Sequence, residues 1–117
     1  MDFHIRTNFS SKIGLGHLSR SLRLANKIIK NGDRCNIYVD KHKKNLFSYN
    51  KKINFFSLYE KNHFNNEKKD SLLFLKRTKF KPGIVIVDDY RLSQIWEKKN
   101  VTWKKNRNMG ILLTGSI

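Results

Sequence analysis

Short runs of apolar and β-branched residues recur along the chain and are bounded by polar or glycine-containing segments, a pattern typical of β-strands. The run Ile84–Val87 is apolar throughout, which indicates a strand covered on both faces, as in parallel sheets. We predict four strands, and a fifth near the end of the chain at Met109–Thr114. The four are Phe3–Thr7, Cys35–Asp40, Ile53–Tyr59 and Gly83–Tyr90.

Between the first two strands the apolar residues return at the spacing of one helix face. This stripe predicts an amphipathic helix that ends before Gly32, where a residue with positive φ is often needed. Its members are Leu18, Leu22, Leu24, Ala25, Ile28 and Ile29.

A second helix is predicted from Asn66 to Phe80, before the fourth strand. We expect its apolar surface to consist of Leu72, Leu73, Leu75 and Phe80. After the fourth strand, the segment RLSQIWEKK is compatible with a short helix whose Ile95 and Trp96 pack inward.

Strands that alternate with helices predict an α/β fold, here a Rossmann-like and mostly parallel sheet with crossover helices. We expect residues 1–117 to form a single such domain. In sheets of this kind, ligands bind at the carboxyl ends of the strands. Two segments of this chain place polar residues there.

The first segment, SSKIGLGHLSRSLRLANKII, follows the first strand. Gly14 and Gly16 allow backbone N–H groups to approach a ligand, and His17 stands at the helix start, where anions are favoured. The segment lacks the third glycine of the dinucleotide fingerprint and the lysine of a P-loop. A neutral His17 could act as a general base or bind a phosphate, and Arg20, one turn on, could reach the same anion. The alternatives are a histidine that only fills the loop and a solvated helix arginine.

The second segment is Asp88-Asp89-Tyr90, directly after the buried fourth strand. A carboxylate in this position can orient a base or a sugar hydroxyl, and the tyrosine offers a hydroxyl and an aromatic ring. The alternative is that the aspartates cap the next helix or bind loop N–H groups.

Composition and charge limit the kinds of partner that the chain is expected to bind. The formal net charge is +16, yet the lysines are dispersed in pairs, and no nucleic-acid-binding motif accompanies them, so nucleic acid is not expected as the main partner. A basic module that binds an anionic polymer or a partner subunit remains the alternative. The single Cys35 cannot form an internal disulfide, and no pair of histidines has metal-ligand spacing, so we expect no metal. The chain shows neither a signal peptide nor an apolar run that could span a membrane, and the cytoplasm is the expected compartment.

Together, IRTNFSSKIGLGHLSRSLRLA and VIVDDYRLSQIWE resemble the two N-terminal signatures of the UDP-2,4-diacetamido-2,4,6-trideoxy-β-L-altropyranose hydrolase family of pseudaminic acid biosynthesis. That family is also labelled as spore-coat polysaccharide biosynthesis proteins. The first signature reads R-x-D-x-S-x-x-I-G-x-G-H-x-x-R-x-L-x-L-A, and the second is a buried strand that ends D-[HD]-Y with W-E following. The residues that match are Arg6, Ser10, Ile13, Gly14, Gly16, His17, Arg20, Leu22, Leu24, Ala25, Asp88, Asp89, Tyr90, Trp96 and Glu97.

The resemblance implies the N-terminal domain of a GT-B architecture, in which two Rossmann-like domains face each other across a cleft. It implies a UDP-sugar substrate that is split by attack of water at C1, with inversion and without metal or cofactor. The implied catalytic residues are His17 and Tyr90. The implied substrate-binding residues are Arg6, Asn8, Ser10, Gly14, Gly16, Arg20, Asp88 and Asp89.

The chain departs from the family pattern in two places. Asn8 stands where the family carries Asp, and the resemblance covers residues 1–97, whereas 98–117 diverge. The family continues into a C-terminal nucleotide-binding domain, so we expect a truncated protein that is inactive alone or that works with a separate chain carrying the second domain. A GT-B glycosyltransferase fragment is an alternative on the same fold.

Overall fold

A computed structural model describes residues 1–8, 16–41, 50–59, 63–78, 83–89, 91–92, 96 and 110–113; for 16–18 and 110–113 it describes the backbone. Five strands and two helices alternate along the chain, in the order expected of an α/β fold. They are β1 (Asp2–Thr7), α1 (Gly16–Lys30), β2 (Arg34–Val39), β3 (Asn54–Ser57), α2 (Glu67–Thr78), β4 (Ile84–Asp88) and β5 (Gly110–Leu113).

The strands form one sheet in the order β3-β2-β1-β4-β5, and every described pair is parallel. β1 lies at the centre, with Ile5 paired to Ile37 of β2 and to Ile86 of β4. The five predicted strands are therefore confirmed, and the architecture is compatible with a Rossmann-like fold. No helix within the described ranges is both long and apolar enough to cross a membrane.

Alternate residues of each strand feed a separate core on each face of the sheet, as the period of two requires. Ile37 and Ile86 pack in the core that α1 covers, whereas Tyr38 and Val87 pack in the core that α2 covers. Cys35 is fully buried in the first core, and burial raises the pKa of its thiol to about 12. An unbroken apolar run is thus explained by burial on both faces.

Helix α1 packs as its pattern predicts. Ala25 and Ile28 are buried, and three half-buried residues, Leu22, Leu24 and Ile29, pack against the same core. The helix ends at Lys30, and Gly32, two residues on, has a φ of 89° and donates its N–H to the carbonyl of Ile29 at 2.9 Å. The predicted C′ glycine is confirmed.

Helix α2 is confirmed as an element, but part of its predicted apolar surface is wrong. Leu72 is 57% exposed, whereas Asp70 and Ser71 are fully buried with Phe74 and Leu75. The reason is electrostatic, because α2 places the carboxylate of Asp70 against the sheet as well as apolar side chains. The predicted inward packing of Trp96 is confirmed, because its side chain is fully buried, while Phe80 and Ile95 lie outside the described residues.

The entry to β4 sets a steric constraint. A Cβ on Gly83 would lie 2.1 Å from the carbonyl oxygen of Asp2, an impossible contact with backbone of β1. A Cβ on Gly32, which has positive φ, would meet no atom within 4 Å. The two glycines are therefore needed for different reasons.

We predict that Gly83→Ala lowers the free energy of unfolding by about 2–3 kcal/mol, because β1 and β4 must separate to admit the methyl group. Gly32→Ala should cost about 1 kcal/mol, the price of positive φ alone. Urea unfolding followed by circular dichroism measures both. A Gly83→Ala loss no larger than that of Gly32→Ala would contradict the close approach.

Candidate functional site

The chain builds the sheet outward from β1 in both directions, so the strand order reverses between β1 and β4. From β1 it moves through β2 to β3, then returns to place β4 on the other side. This reversal makes the carboxyl edge between β1 and β4 a topological switch point. Such a switch point is where open parallel sheets bind ligands.

Asp88, the last residue of β4, binds the first turns of α1. Its carboxylate accepts hydrogen bonds from Arg20 at 3.1 and 2.5 Å and from the Ser21 hydroxyl at 3.3 Å. Its carbonyl accepts from the Thr7 hydroxyl at the end of β1. Because Arg20 and Asp88 belong to different sequence segments, this ion pair joins the glycine-histidine segment to the Asp-Asp-Tyr segment.

Asp89 pairs with a different arginine, Arg91. Its carboxylate accepts from Arg91 Nε at 3.0 Å and from the terminal guanidinium nitrogen at 2.6 Å. Arg91 also donates to both oxygens of Asp40, at 2.9 and 3.0 Å, where β2 ends. Arg91 therefore joins Asp89, which follows β4, to Asp40, which follows β2.

Below this edge, Arg6 lies fully buried on the α2 face of β1. It donates to Asp70 of α2 at 3.1 and 2.7 Å, to Asp40 at 2.7 Å and to the Thr7 carbonyl at 2.7 Å. Burial works against its charge, but Asp70 and Asp40 raise the pKa of Arg6 above its ordinary value. With no exposed surface, Arg6 supports the edge through these bonds, and its role in substrate binding stays a prediction.

Asp70 itself is fully saturated by side chains. Besides Arg6, the Tyr59 hydroxyl donates to it at 2.7 Å and the Trp96 indole N–H at 2.9 Å. Burial, followed by the bond to Asp70, raises the pKa of Tyr59. A buried carboxylate with this many donors is a structural anchor.

Asp40 is held as a carboxylate. Partial burial would raise its pKa, but the hydrogen bonds from Arg91 and the charge and hydrogen bond of Arg6 outweigh burial and lower it. The backbone N–H of Asp40 also donates to the Asn8 side chain at 3.4 Å. Asn8 therefore joins β1 to β2 at the edge, 8% exposed.

Apart from the buried Arg6, the predicted site residues fall into three groups. Asn8, Arg20, Asp88 and Asp89 meet along the carboxyl edge of the sheet, and Arg20, whose side chain is 47% exposed, has surface available to a ligand. Gly16 and His17 are the first two residues of α1, placed by their backbone. The predicted roles of Ser10, Gly14 and Tyr90 concern residues outside the described ranges.

Sequence reasoning missed three residues of this edge, namely Asp40, Asp70 and Arg91. Asp40 carried a usable signal, because it follows a buried strand as Asp88 does. Asp70 carried none, since its partner Arg6 is 64 residues away in sequence, and the bond from Arg91 to Asp40 spans 51 residues. Among the described residues, no group of three or more histidine, cysteine, aspartate or glutamate side chains could hold a metal ion.

The fold and the edge together define a small α/β protein with a parallel sheet and a polar switch point. No protein-family model, no curated protein and no solved structure matches the chain.

We predict that Asp70→Asn lowers the free energy of unfolding by about 3–5 kcal/mol, because it leaves the buried Arg6 charge without its main partner. Asp33→Asn is the matched control, since the ion pair of Asp33 within the described residues is with the N-terminal amine at 3.3 Å, and its side chain is one-third exposed. The control should lose less than about 1 kcal/mol. Equal losses in urea unfolding would contradict the anchoring role of Asp70.

The lowered pKa of Asp40 predicts a pH dependence with a definite sign. A carboxyl group whose pKa is depressed by folding stabilises the protein above its unfolded pKa, and this contribution is lost as pH falls through the folded value. The stability difference between the wild type and Asp40→Asn should therefore be full above about pH 5 and shrink below about pH 4. Urea unfolding across this range measures it, and a constant difference would contradict the assignment.

Proposed function

We propose that the carboxyl edge between β1 and β4 is the sugar-side wall of a nucleotide-sugar hydrolase cleft. The observation that carries the proposal is the Arg20–Asp88 ion pair, which joins the two segments that resemble the hydrolase signatures. Segments 68 residues apart in sequence thus meet at the switch point of the sheet. Because the two segments are adjacent there, a single ligand can contact both of them.

The proposed substrate is a UDP-linked 2,4-diacetamido-2,4,6-trideoxy sugar, as the resemblance implies. Its diphosphate is anionic, and the net charge of +16 favours its approach through the field of the whole chain. Arg20 keeps an exposed side chain beside Asp88 and can donate to an anion or a sugar hydroxyl.

The proposed reaction is attack of water at C1. A bond forms between C1 and the water oxygen, the bond between C1 and the diphosphate oxygen breaks, and UDP leaves with the bonding electrons. His17 takes the proton of the attacking water, and Tyr90 orients the sugar or the water. His17 is suited to this role because the positive end of the α1 dipole disfavours protonated imidazole in the first turn.

The resemblance also implies that most nucleotide contacts come from a second, GT-B-type domain, which a separate chain could supply. We therefore expect the 117-residue chain to bind the sugar end of the substrate but to release little UDP by itself. Release of UDP at an enzymatic rate by this chain alone would refute the need for the second domain. With that domain supplied, His17→Ala should abolish UDP release, and an unaffected rate would remove His17 from the mechanism.

Binding is tested by isothermal titration of the UDP-sugar into the wild type, Arg20→Ala and Arg23→Ala. Removing the Arg20 guanidinium should weaken binding by roughly tenfold or more, the worth of one charge-assisted hydrogen bond. Arg23 is the matched control, because it is an exposed arginine on the same helix. Its replacement should leave the affinity within about twofold.

Three results would contradict the proposal. Equal losses in the two arginine variants would show that only overall charge matters. Tight and salt-dependent binding of RNA, with no binding of the UDP-sugar, would favour the basic module instead. Transfer of the sugar to an acceptor other than water would favour a glycosyltransferase.

A further inference from the structure

A broad groove of about 1160 Å³ lies between α2 and the segments that precede it. It exceeds the roughly 1000 Å³ at the upper end of small-molecule pockets. Its walls are mainly apolar and are supplied by Leu58, Tyr59, Phe64, Leu72, Leu73 and Leu75. The candidate hydrolase site uses none of these side chains.

The helix side of the groove presents an apolar stripe between two lysines. Leu72 is 57% exposed, a high fraction for a large apolar side chain, and Leu73 beside it is half-buried. Lys69 and Lys76 flank them at a spacing of two helical turns, about 10 Å along the axis. This face of α2 therefore combines exposed apolar surface with positive charge.

Among the described residues that line the groove, the charged ones carry the same sign. Lys69 and Lys76 line it together with the exposed His63, and no acidic residue is among the described residues that line it. An occupant that buries the leucines must also lie close to both ammonium groups. Complementarity therefore requires acidic residues on either side of the occupant's apolar surface.

We propose that this groove binds an amphipathic helix of a partner protein, with apolar residues at i, i+3, i+4 and i+7 and with glutamate or aspartate beside them. Helices of this pattern bind hydrophobic grooves by placing their apolar face inside. A second copy of this chain is a poor occupant, because each copy carries a net charge of +16. The proposal goes beyond the nucleotide-sugar hypothesis and does not depend on it.

The groove also touches the supports of the carboxyl edge. The Arg91 guanidinium carbon lies 4.3 Å from the centre of the Phe64 ring, and the Tyr59 hydroxyl donates to Asp70. A helix bound against Phe64 and Tyr59 would therefore contact the two side chains that pack against Arg91 and bond to Asp70. The partner would bind on the flank of the edge and leave the switch point itself open.

The test uses two synthetic helical peptides of about 18 residues, long enough to form several turns. Both carry leucines at i, i+3, i+4 and i+7; one has glutamates beside them, and in the other each glutamate is lysine. Fluorescence anisotropy with the 117-residue chain measures affinity. The acidic peptide should bind at least about tenfold more tightly than the basic one.

Variants locate the binding. Leu72→Gln should weaken the acidic peptide by about tenfold, because the buried leucine contact is lost, while the fold remains since Leu72 is exposed. The double variant Lys69→Glu/Lys76→Glu should reverse the preference between the peptides. Lys68→Glu is the matched control, an exposed α2 lysine outside the groove wall, and should change affinity by no more than about twofold.

Other outcomes would overturn the proposal. Equal affinity for the two peptides, or affinity that Leu72→Gln leaves unchanged, would remove the groove as an acidic-helix site. Self-association that Leu72→Gln abolishes would assign the groove to a second copy. Binding to anionic phospholipid vesicles that depends on Leu72, without a peptide preference, would assign it to a membrane surface. UDP-sugar binding by Leu72→Gln should match the wild type, which separates this test from the hydrolase hypothesis.

Discussion

The carboxylate of Asp70 makes the rest of this architecture possible, because it neutralises a guanidinium that the central strand buries. β1 turns His4 and Arg6, both fully inaccessible, toward α2, where an ordinary sheet would place apolar residues. A buried charge without a partner would cost several kcal/mol. Helix α2 therefore has to bring Asp70 to this point, and Tyr59 and Trp96 complete its hydrogen bonds. The position of α2, and with it the exposure of Leu72, follows from this pair.

The same guanidinium extends the network to the edge of the sheet. Arg6 reaches Asp40, Asp40 holds Arg91, and Arg91 holds Asp89. The alternation of charges lets neighbouring strand ends lie close without like-charge repulsion. On the other side of the switch point, Asp88 is held by Arg20. The two adjacent aspartates, Asp88 and Asp89, are thus held by different partners.

The strands could be predicted because β-branched runs such as Ile84–Val87 report burial on both faces through local pattern alone. Helix α1 could be predicted because its apolar residues recur at the spacing of one helix face. The buried side of α2 could not, since hydrophobicity favours Leu72, whereas the decisive contact is Asp70 with a residue 64 positions earlier. Arg6 shows the same limit: a charged residue in a family-like motif suggests ligand contact, but only tertiary structure reveals its ion pairs. The location of Asp88 at the carboxyl end of a buried strand could be predicted, whereas its place at the switch point and its pairing with Arg20 could not.

A crystal structure of the chain soaked with the UDP-sugar tests the proposed binding at the carboxyl edge between β1 and β4. We expect the sugar to lie at the switch point, in contact with the Arg20–Asp88 pair and the start of α1. Sugar bound in the α2 groove or at the amino ends of the strands, with the switch point empty, would contradict it.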